Sequence, residues 1–259
     1  MNRQEFQSVL DPSQLSKRVR LDPLRCYVSV RRLIEPHWYR RFWQSDPWGR
    51  FAKDKVHGPR IECSNDEART LQKLDEIPSA VTTEQTRVLY CLARQAPPSG
   101  EIVEIGSDQG KSTIALASGA RRSEQPCDVH AVDPFLGGST MTSAERAELL
   151  KRNLRAYDAE NVVLHIMTSG EYRRERQSPI RLLFVDAAHD YLNSRFDFLA
   201  WKSLIVPGGF LAAHDVDNYP SGPGTRKAFL DCLLTDTEFR LAYHTDNLAV
   251  AQRIAGGQS

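Results

Sequence analysis

From about residue 77 onward, short apolar runs alternate with longer stretches whose apolar residues recur at helical spacing. The apolar runs are 102–105, 127–133, 161–168, 181–186, 210–213, 239–244 and 248–251. Between them, Val88, Leu89 and Leu92 mark a helix over 83–95, opened by Thr83 and stopped by Pro97 and Pro98. Further helices are predicted over 112–120, over 143–157 (Leu149, Leu150, Leu154), through Phe198, Trp201 and Leu204, and over 226–234. Strand–helix alternation of this kind builds a doubly wound, mostly parallel α/β sheet. The run 181–186 is nearly all apolar, as a central strand buried on both faces must be. Pro207, Gly208 and Gly209 predict a turn into the fifth strand, and the short link 245–247 predicts an antiparallel hairpin closing a seven-stranded sheet.

The polar residues of interest fall where those strands end. After Ile105 the chain turns through Gly106, Ser107, Asp108, Gln109 and Gly110 and enters a helix at Ser112. Glycine lets backbone approach a ligand, and a helix amino end offers unpaired N–H groups. Two ligand classes use such a turn. A phosphate-binding loop needs four residues between its glycines before Lys-Ser/Thr, whereas Gly106 and Gly110 enclose three, so Gly110, Lys111, Ser112 and Thr113 are a near miss. The second reading starts from Glu104, an acid ending strand one. Asp133, at the end of strand two and 27 residues after Gly106, suits the vicinal hydroxyls of a ribose. Ser169 follows strand three, Asp186 ends strand four with His189 three residues on, and His214 and Asp215 end strand five. His165, inside an apolar run, reads as a satisfied core histidine.

Composition narrows the class. The 259 residues, 41% hydrophobic, suffice for one large domain with a sizeable core plus an extension, and no apolar run nears the roughly 18 residues of a membrane span. The N-terminus lacks the apolar core of a signal peptide, and five cysteines without close pairs suit free thiols. A cytoplasmic location is expected. The formal net charge of +1 hides an asymmetry: residues 1–60 hold 13 Lys/Arg against 6 Asp/Glu. The same part holds Trp38, Tyr39, Phe42, Trp43, Trp48 and Phe51. Residues 1–74 read as a basic, aromatic-rich extension and 75–259 as the catalytic domain. The aromatics suit a lid or a subunit contact in a homo-oligomer. A membrane surface is the other reading, and no nucleic-acid partner is expected.

Five motifs in order, at successive strand ends, carry a family resemblance: Glu104–Gly106–Gly110, Asp133–Pro134–Phe135, Asp186–His189–Tyr191, Pro207–Gly208–Gly209 and His214–Asp215. The chain from about 75 to 253 resembles the Rossmann-like class I S-adenosylmethionine-dependent methyltransferases. The branch it resembles includes the macrocin-type sugar O-methyltransferases and the cephalosporin-hydroxylase-like proteins. Asp108 departs from the pattern, standing where the family carries its middle glycine. The resemblance implies O-methylation of a hydroxyl on a small molecule or glycan. It implies that Glu104, Gly106, Ser107, Gly110, Ser112, Asp133, Ser169 and Asp186 meet S-adenosylmethionine. Asp186, His214 and Asp215 match the positions at which metal-dependent members bind magnesium. His214 replaces the usual acid, which turns the expectation toward manganese or iron. His189 matches the position of a catalytic base, with Asp186 beside it. Two other readings stay open on the residues alone: a P-loop-like kinase or NTPase using Lys111 and Asp186, and a non-catalytic protein on this fold.

Overall fold

A computed structural model describes residues 59–136, 140–217, 223–245 and 247–254, all within a compact unit spanning 48–259. The aromatic cluster of the N-terminal part lies outside the described residues.

Helix α1 (Asn65–Gln72) opens with a capping box in which Ser64 and Glu67 satisfy each other's free backbone N–H groups. The sequence pattern had shown only a charged segment here, because α1 exposes most of its surface and buries Leu71 alone. Leu71, Leu74 and Ile77 nevertheless enter the same core as helix α2 (Thr83–Gln95). Strand β1 (Glu101–Ile105) leads through the glycine turn into α3 (Lys111–Ala120), every residue of which is buried. Then follow β2 (Val129–Val132), α4 (Ser143–Ala156), β3 (Val162–His165), α5 (Ser169–Glu175) and β4 (Ile180–Val185). The chain closes with α6 (Tyr191–Trp201), β5 (Ile205–His214), α7 (Pro223–Phe229), a π-helical turn (Leu230–Leu234), β6 (Phe239–Thr245) and β7 (Leu248–Arg253).

The sheet has seven strands in the order β3-β2-β1-β4-β5-β7-β6. The first five are mutually parallel, and β7 runs antiparallel to both β5 and β6, as the hairpin reading requires. Strand order reverses at β1, whose neighbours are β2 and β4. The crevice for a ligand in such a sheet therefore opens above the carboxyl ends of β1 and β4.

Two local expectations need correcting. Strand three stops at His165, not Thr168, because Thr168 caps α5 with Glu171 and turns the backbone away from the ladder. The expected turn at Pro207, Gly208 and Gly209 lies inside β5: pairing jumps from Ile180–Ile205 to Leu182–Phe210, and Gly208 takes up the irregularity at φ 81°. Strand four is nearly all apolar, as expected, with Arg181 its one charged residue. Arg181 is wholly buried, and its guanidinium donates to the Gln125 carbonyl at 2.9 Å and the Ser123 hydroxyl at 3.3 Å. His165 is half-buried and paired with His130, Nε2 to Nδ1, at 3.1 Å.

Candidate active site

Gly106 is forced by the geometry of the turn. It has φ 88°, its N–H donates to Val132 O at 2.9 Å, and a Cβ there would stand 1.9 Å from the Asp186 carbonyl oxygen. Only a residue without a side chain lets β1 leave the sheet between the ends of β2 and β4. Gly110, at φ 91°, starts α3 in the left-handed region. Asp108 also has positive φ, 42°, which aspartate tolerates better than most side chains. Arg146 of α4 holds its carboxylate at 2.7 Å. The middle glycine of the family pattern is thus replaced without closing the turn.

Beneath this turn, Glu104 has no exposed surface and accepts the Thr113 hydroxyl. Burial pushes its carboxyl up to about 7, against the hydroxyls of Ser112, Thr113 and Ser107 around it. Asp133 faces the turn from β2. Its Oδ2 accepts the N–H groups of Ser107 and Asp108, each at 2.9 Å, and its Oδ1 that of Phe135 at 2.6 Å. Ser107 and Ser112 line the same turn and are buried. Ser169 begins α5, and its hydroxyl donates to Asp197 of α6 at 2.5 Å. Lys111 does not reach toward the turn: it is buried, and its Nζ meets Asp75 Oδ1 at 2.9 Å.

One strand further along the sheet, four polar side chains converge. His189 Nε2 lies 2.8 Å from Asp215 Oδ2 and 3.7 Å from Asp186 Oδ1. His214 Nδ1 lies 3.3 Å from Asp186 Oδ1 and 3.4 Å from Asp215 Oδ1. Asp215 takes φ 57°, a left-handed conformation that turns its carboxylate back toward the end of β4. Burial works against charge on each group, yet ion pairing wins at all four. His189 is raised to about 10 by the carboxylates of Asp186 and Asp215, and His214 is raised chiefly by Asp186. Asp186 and Asp215 are both lowered, each held ionised by the two imidazoles.

This donor set suits a divalent ion. Asp186, His189 and Asp215 offer ligand atoms all within 4.8 Å of one another. His214 Nδ1 is buried, close to two carboxylates, and aligned for a hydrogen bond with neither. Neighbouring ligands on one ion stand roughly 3 Å apart when each bond is about 2.0–2.3 Å, the spacing found around His214. The group within that limit thus includes His189, expected as a base, whereas His214, expected as a ligand, borders it through Asp186 and Asp215.

Two residues at the site escaped the sequence reading. Gln85 of α2 places Oε1 3.1 Å from His214 Nε2, and Asn247 donates its amide to Asp215 Oδ1 at 2.5 Å. The sequence signal for Gln85 was its place at the third helical position, closing a Thr-x-x-Gln capping box, and for Asn247 its place in the hairpin turn. Neither signal points to a site.

Comparison with known proteins agrees with this geometry. Residues 103–216, from β1 through the end of β5, match the family described as a methyltransferase domain. Residues 103–216 thus match a methyltransferase domain, on a fold shared with solved methyltransferases. Three solved structures share the fold. The O-methyltransferase TomG from Streptomyces achromogenes, solved with S-adenosylmethionine, is 20% identical with a TM-score of 0.54, over 75% of this chain and 92% of TomG. An O-methyltransferase from Bacillus cereus in complex with S-adenosylhomocysteine is 20% identical at TM-score 0.54, over 74% of this chain and 92% of its own. CalS11, a TDP-rhamnose 3′-O-methyltransferase of calicheamicin biosynthesis, is 21% identical at TM-score 0.52, over 74% and 96%. The P-loop reading finds no support: the loop is one residue short, residues 103–216 match a methyltransferase domain, and Lys111 is turned into an ion pair with Asp75.

Proposed function

We propose that this chain is an S-adenosylmethionine-dependent O-methyltransferase acting on a hydroxyl of a small molecule or sugar. The observation that carries the reading is the adjacency of two half-sites. The glycine turn ends beside Asp186, and Asp186 is also a member of the Asp186–His189–His214–Asp215 group. A cofactor laid in the β1/β4 crevice would present its methyl group to an acceptor held over that group.

In this reading, the turn through Gly106, Ser107 and Gly110 and the start of α3 at Ser112 face the cofactor. Asp133 supports the turn and offers its remaining lone pairs to the ribose. Glu104 sits beneath and holds the turn through Thr113. Ser169 borders the adenine end. The sulfonium supplies a good leaving group, so the enzyme must align the acceptor oxygen in line with the methyl carbon and accept a proton. His189, half-exposed and one turn ahead of α6, is the proton acceptor. In its neutral form the ring keeps Nε2–H toward Asp215, so Nδ1 takes the acceptor's proton, and Asp215 and Asp186 stabilise the imidazolium that results.

Asp186, Asp215 and the imidazole of His214 would hold a divalent ion, which when bound lowers the pKa of an acceptor hydroxyl. Of the solved structures that share the fold, one is described as a TDP-rhamnose 3′-O-methyltransferase and another as involved in tomaymycin synthesis, which favours a sugar or small-molecule acceptor. The basic, aromatic-rich extension, residues 1–74, would supply a lid or a subunit contact. No helix among the described residues is long and apolar enough to cross a membrane.

The reading is tested by calorimetry with S-adenosylhomocysteine, followed by transfer of labelled methyl to a panel of sugar and phenol acceptors. Binding of the cofactor product and transfer that His189→Ala abolishes are expected. Absence of S-adenosylhomocysteine binding would overturn it.

A further inference from the structure

We propose that Gln85 is a positioning residue: it fixes His214 as a nitrogen donor aimed between Asp186 and Asp215, and so turns this site toward a borderline transition ion and away from magnesium. The inference rests on the metal-assisted reading of the site given above.

Gln85 Oε1 does two things at once. It accepts the N–H of Thr82 at 2.8 Å and lies 3.1 Å from His214 Nε2. A backbone N–H can only donate, so the amide atom facing Thr82 must be oxygen. An amide oxygen can only accept, so His214 Nε2 must carry a hydrogen. The assignment does not depend on choosing an amide orientation by eye. The neutral imidazole of His214 is thereby confined to the form whose lone pair sits on Nδ1.

That lone pair faces two carboxylates, a contact that a proton relieves in the metal-free site and that a bound cation relieves in its place. Nδ1 stands 3.3 and 3.4 Å from two carboxylate oxygens, is buried, and has no hydrogen-bond partner. His214 is 1% exposed, so water does not relieve the contact. A lone pair and two carboxylates converging on one volume are the donor set of a metal, and a histidine ligand ordinarily donates its other N–H to a carbonyl or carboxylate. Gln85 supplies that acceptor.

The structure accepts a penalty to put it there. Gln85 is 1% exposed, and its Nε2 is buried without a hydrogen-bond partner. An amide held with its donor unsatisfied is held for its oxygen. The capping box fixes the side chain independently of the site: Thr82 Oγ1 accepts the N–H of Gln85 while Gln85 Oε1 accepts that of Thr82. Helix α2 thus arrives at the site with its acceptor already oriented, 129 residues distant in sequence from the histidine it sets.

Imidazole nitrogen favours manganese, iron, cobalt or zinc over magnesium, which prefers oxygen. The expected signature is therefore selectivity, which a general loss of stability would not change. In the full-length protein, Mn²⁺ and Mg²⁺ affinities are measured by titration, with free Mn²⁺ followed by electron paramagnetic resonance. Wild type is expected to prefer Mn²⁺. Gln85→Met should weaken Mn²⁺ about 10–100-fold and narrow the Mn²⁺/Mg²⁺ ratio, with S-adenosylhomocysteine affinity within a few-fold. Gln85→Glu, which keeps the oxygen, should retain Mn²⁺. Unchanged Mn²⁺ affinity and ratio in Gln85→Met would overturn the proposal, as would wild type that binds neither ion. Loss of S-adenosylhomocysteine binding in wild type would instead overturn the methyltransferase reading beneath it. A measurement on wild type stands if Gln85→Met does not fold: with Zn²⁺ and ¹⁵N-histidine, Nδ1 of His214 should shift on binding while Nε2 keeps its proton. A shift at Nε2, or at neither nitrogen, would overturn the assignment.

Discussion

Gly106 and Asp186 touch so closely that a single Cβ on the glycine would stand 1.9 Å from the aspartate carbonyl oxygen. The contact joins the end of β1 to the end of β4, and with them the glycine turn to the group of Asp186, His189, His214 and Asp215. Gly106→Ala is expected to cost about 3 kcal/mol or more, since it combines positive φ with a backbone clash. It should also abolish S-adenosylhomocysteine binding. Gly170→Ala is the control, because its Cβ would meet only the Phe196 ring at 3.4 Å. Chemical denaturation and calorimetry on the two variants check this. Equal effects at the two positions would show that the contact is not what constrains the turn.

Lys111 should be dispensable for the cofactor. Its ammonium is held by Asp75, which is itself partly exposed, so Lys111→Ala leaves a carboxylate that water can solvate. A loss near 1 kcal/mol is expected, with S-adenosylhomocysteine affinity unchanged within a few-fold and no binding of magnesium-ATP in either protein. Tight ATP binding that disappears in Lys111→Ala would restore the nucleotide-hydrolase reading.

His189→Ala should remove turnover by about 10²–10⁴-fold, the range for losing a general base. Affinity for S-adenosylhomocysteine should stay within a few-fold, because His189 stands on the acceptor side of Asp186. Asn247→Ala should have a milder effect, about ten-fold on turnover, since it frees Asp215 Oδ1 without removing the carboxylate. Steady-state kinetics beside calorimetry separates the two contributions. Comparable loss of cofactor affinity and turnover in His189→Ala would place the residue in the wrong half-site.

Asp197 predicts a pH-dependent stability away from the reacting groups. Burial raises its carboxyl to about 7 from an ordinary 3.8, the Ser169 hydroxyl opposes the shift, and the charge of Asp190 adds to it. The folded protein therefore keeps a proton that the unfolded chain releases between those values. Stability is full below pH 3.8, falls as pH rises toward 7, and carries a constant penalty above it. Asp197→Asn cannot ionise and still accepts from Ser169. It should match wild type near pH 4 and exceed it by about 1–3 kcal/mol at pH 8. Denaturation midpoints across this window test the sign, and a difference independent of pH would refute the assignment.

Removal of residues 1–58 should leave the domain folded and its cofactor affinity within a few-fold while abolishing turnover, self-association or both. The cut is placed there because Arg60 is already tied to α2: its N–H donates to Gln95 Oε1 at 3.0 Å and its carbonyl accepts from Gln95 Nε2 at 2.6 Å. Light scattering and methyl transfer on the truncated protein check it. Full activity with the same mass in solution would remove the extension from both roles.

The alternation of elements and the acids at strand ends were legible in the residues, because both are local. A strand buried on two faces must be apolar, and a helix on one face must repeat every three to four residues. Charged groups in such a sheet collect at the carboxyl ends, where the chain leaves the core. Asp133, Asp186, His214 and Asp215 could therefore be placed by counting along the chain. Helix α1 escaped because it buries a single residue, and the bulge of β5 escaped because a Pro-Gly-Gly run looks the same in a turn and in an irregular strand. Tertiary structure alone decided which partners meet. Asp108 could replace a glycine because Arg146, 38 residues on, comes within reach of its carboxylate. His214 became a directed nitrogen donor because Gln85, in a helix laid down before the first strand, presents an oxygen to its far side. Such pairings depend on how helices pack over the sheet, a property of side-chain volumes summed over the whole core, and no window of sequence contains it.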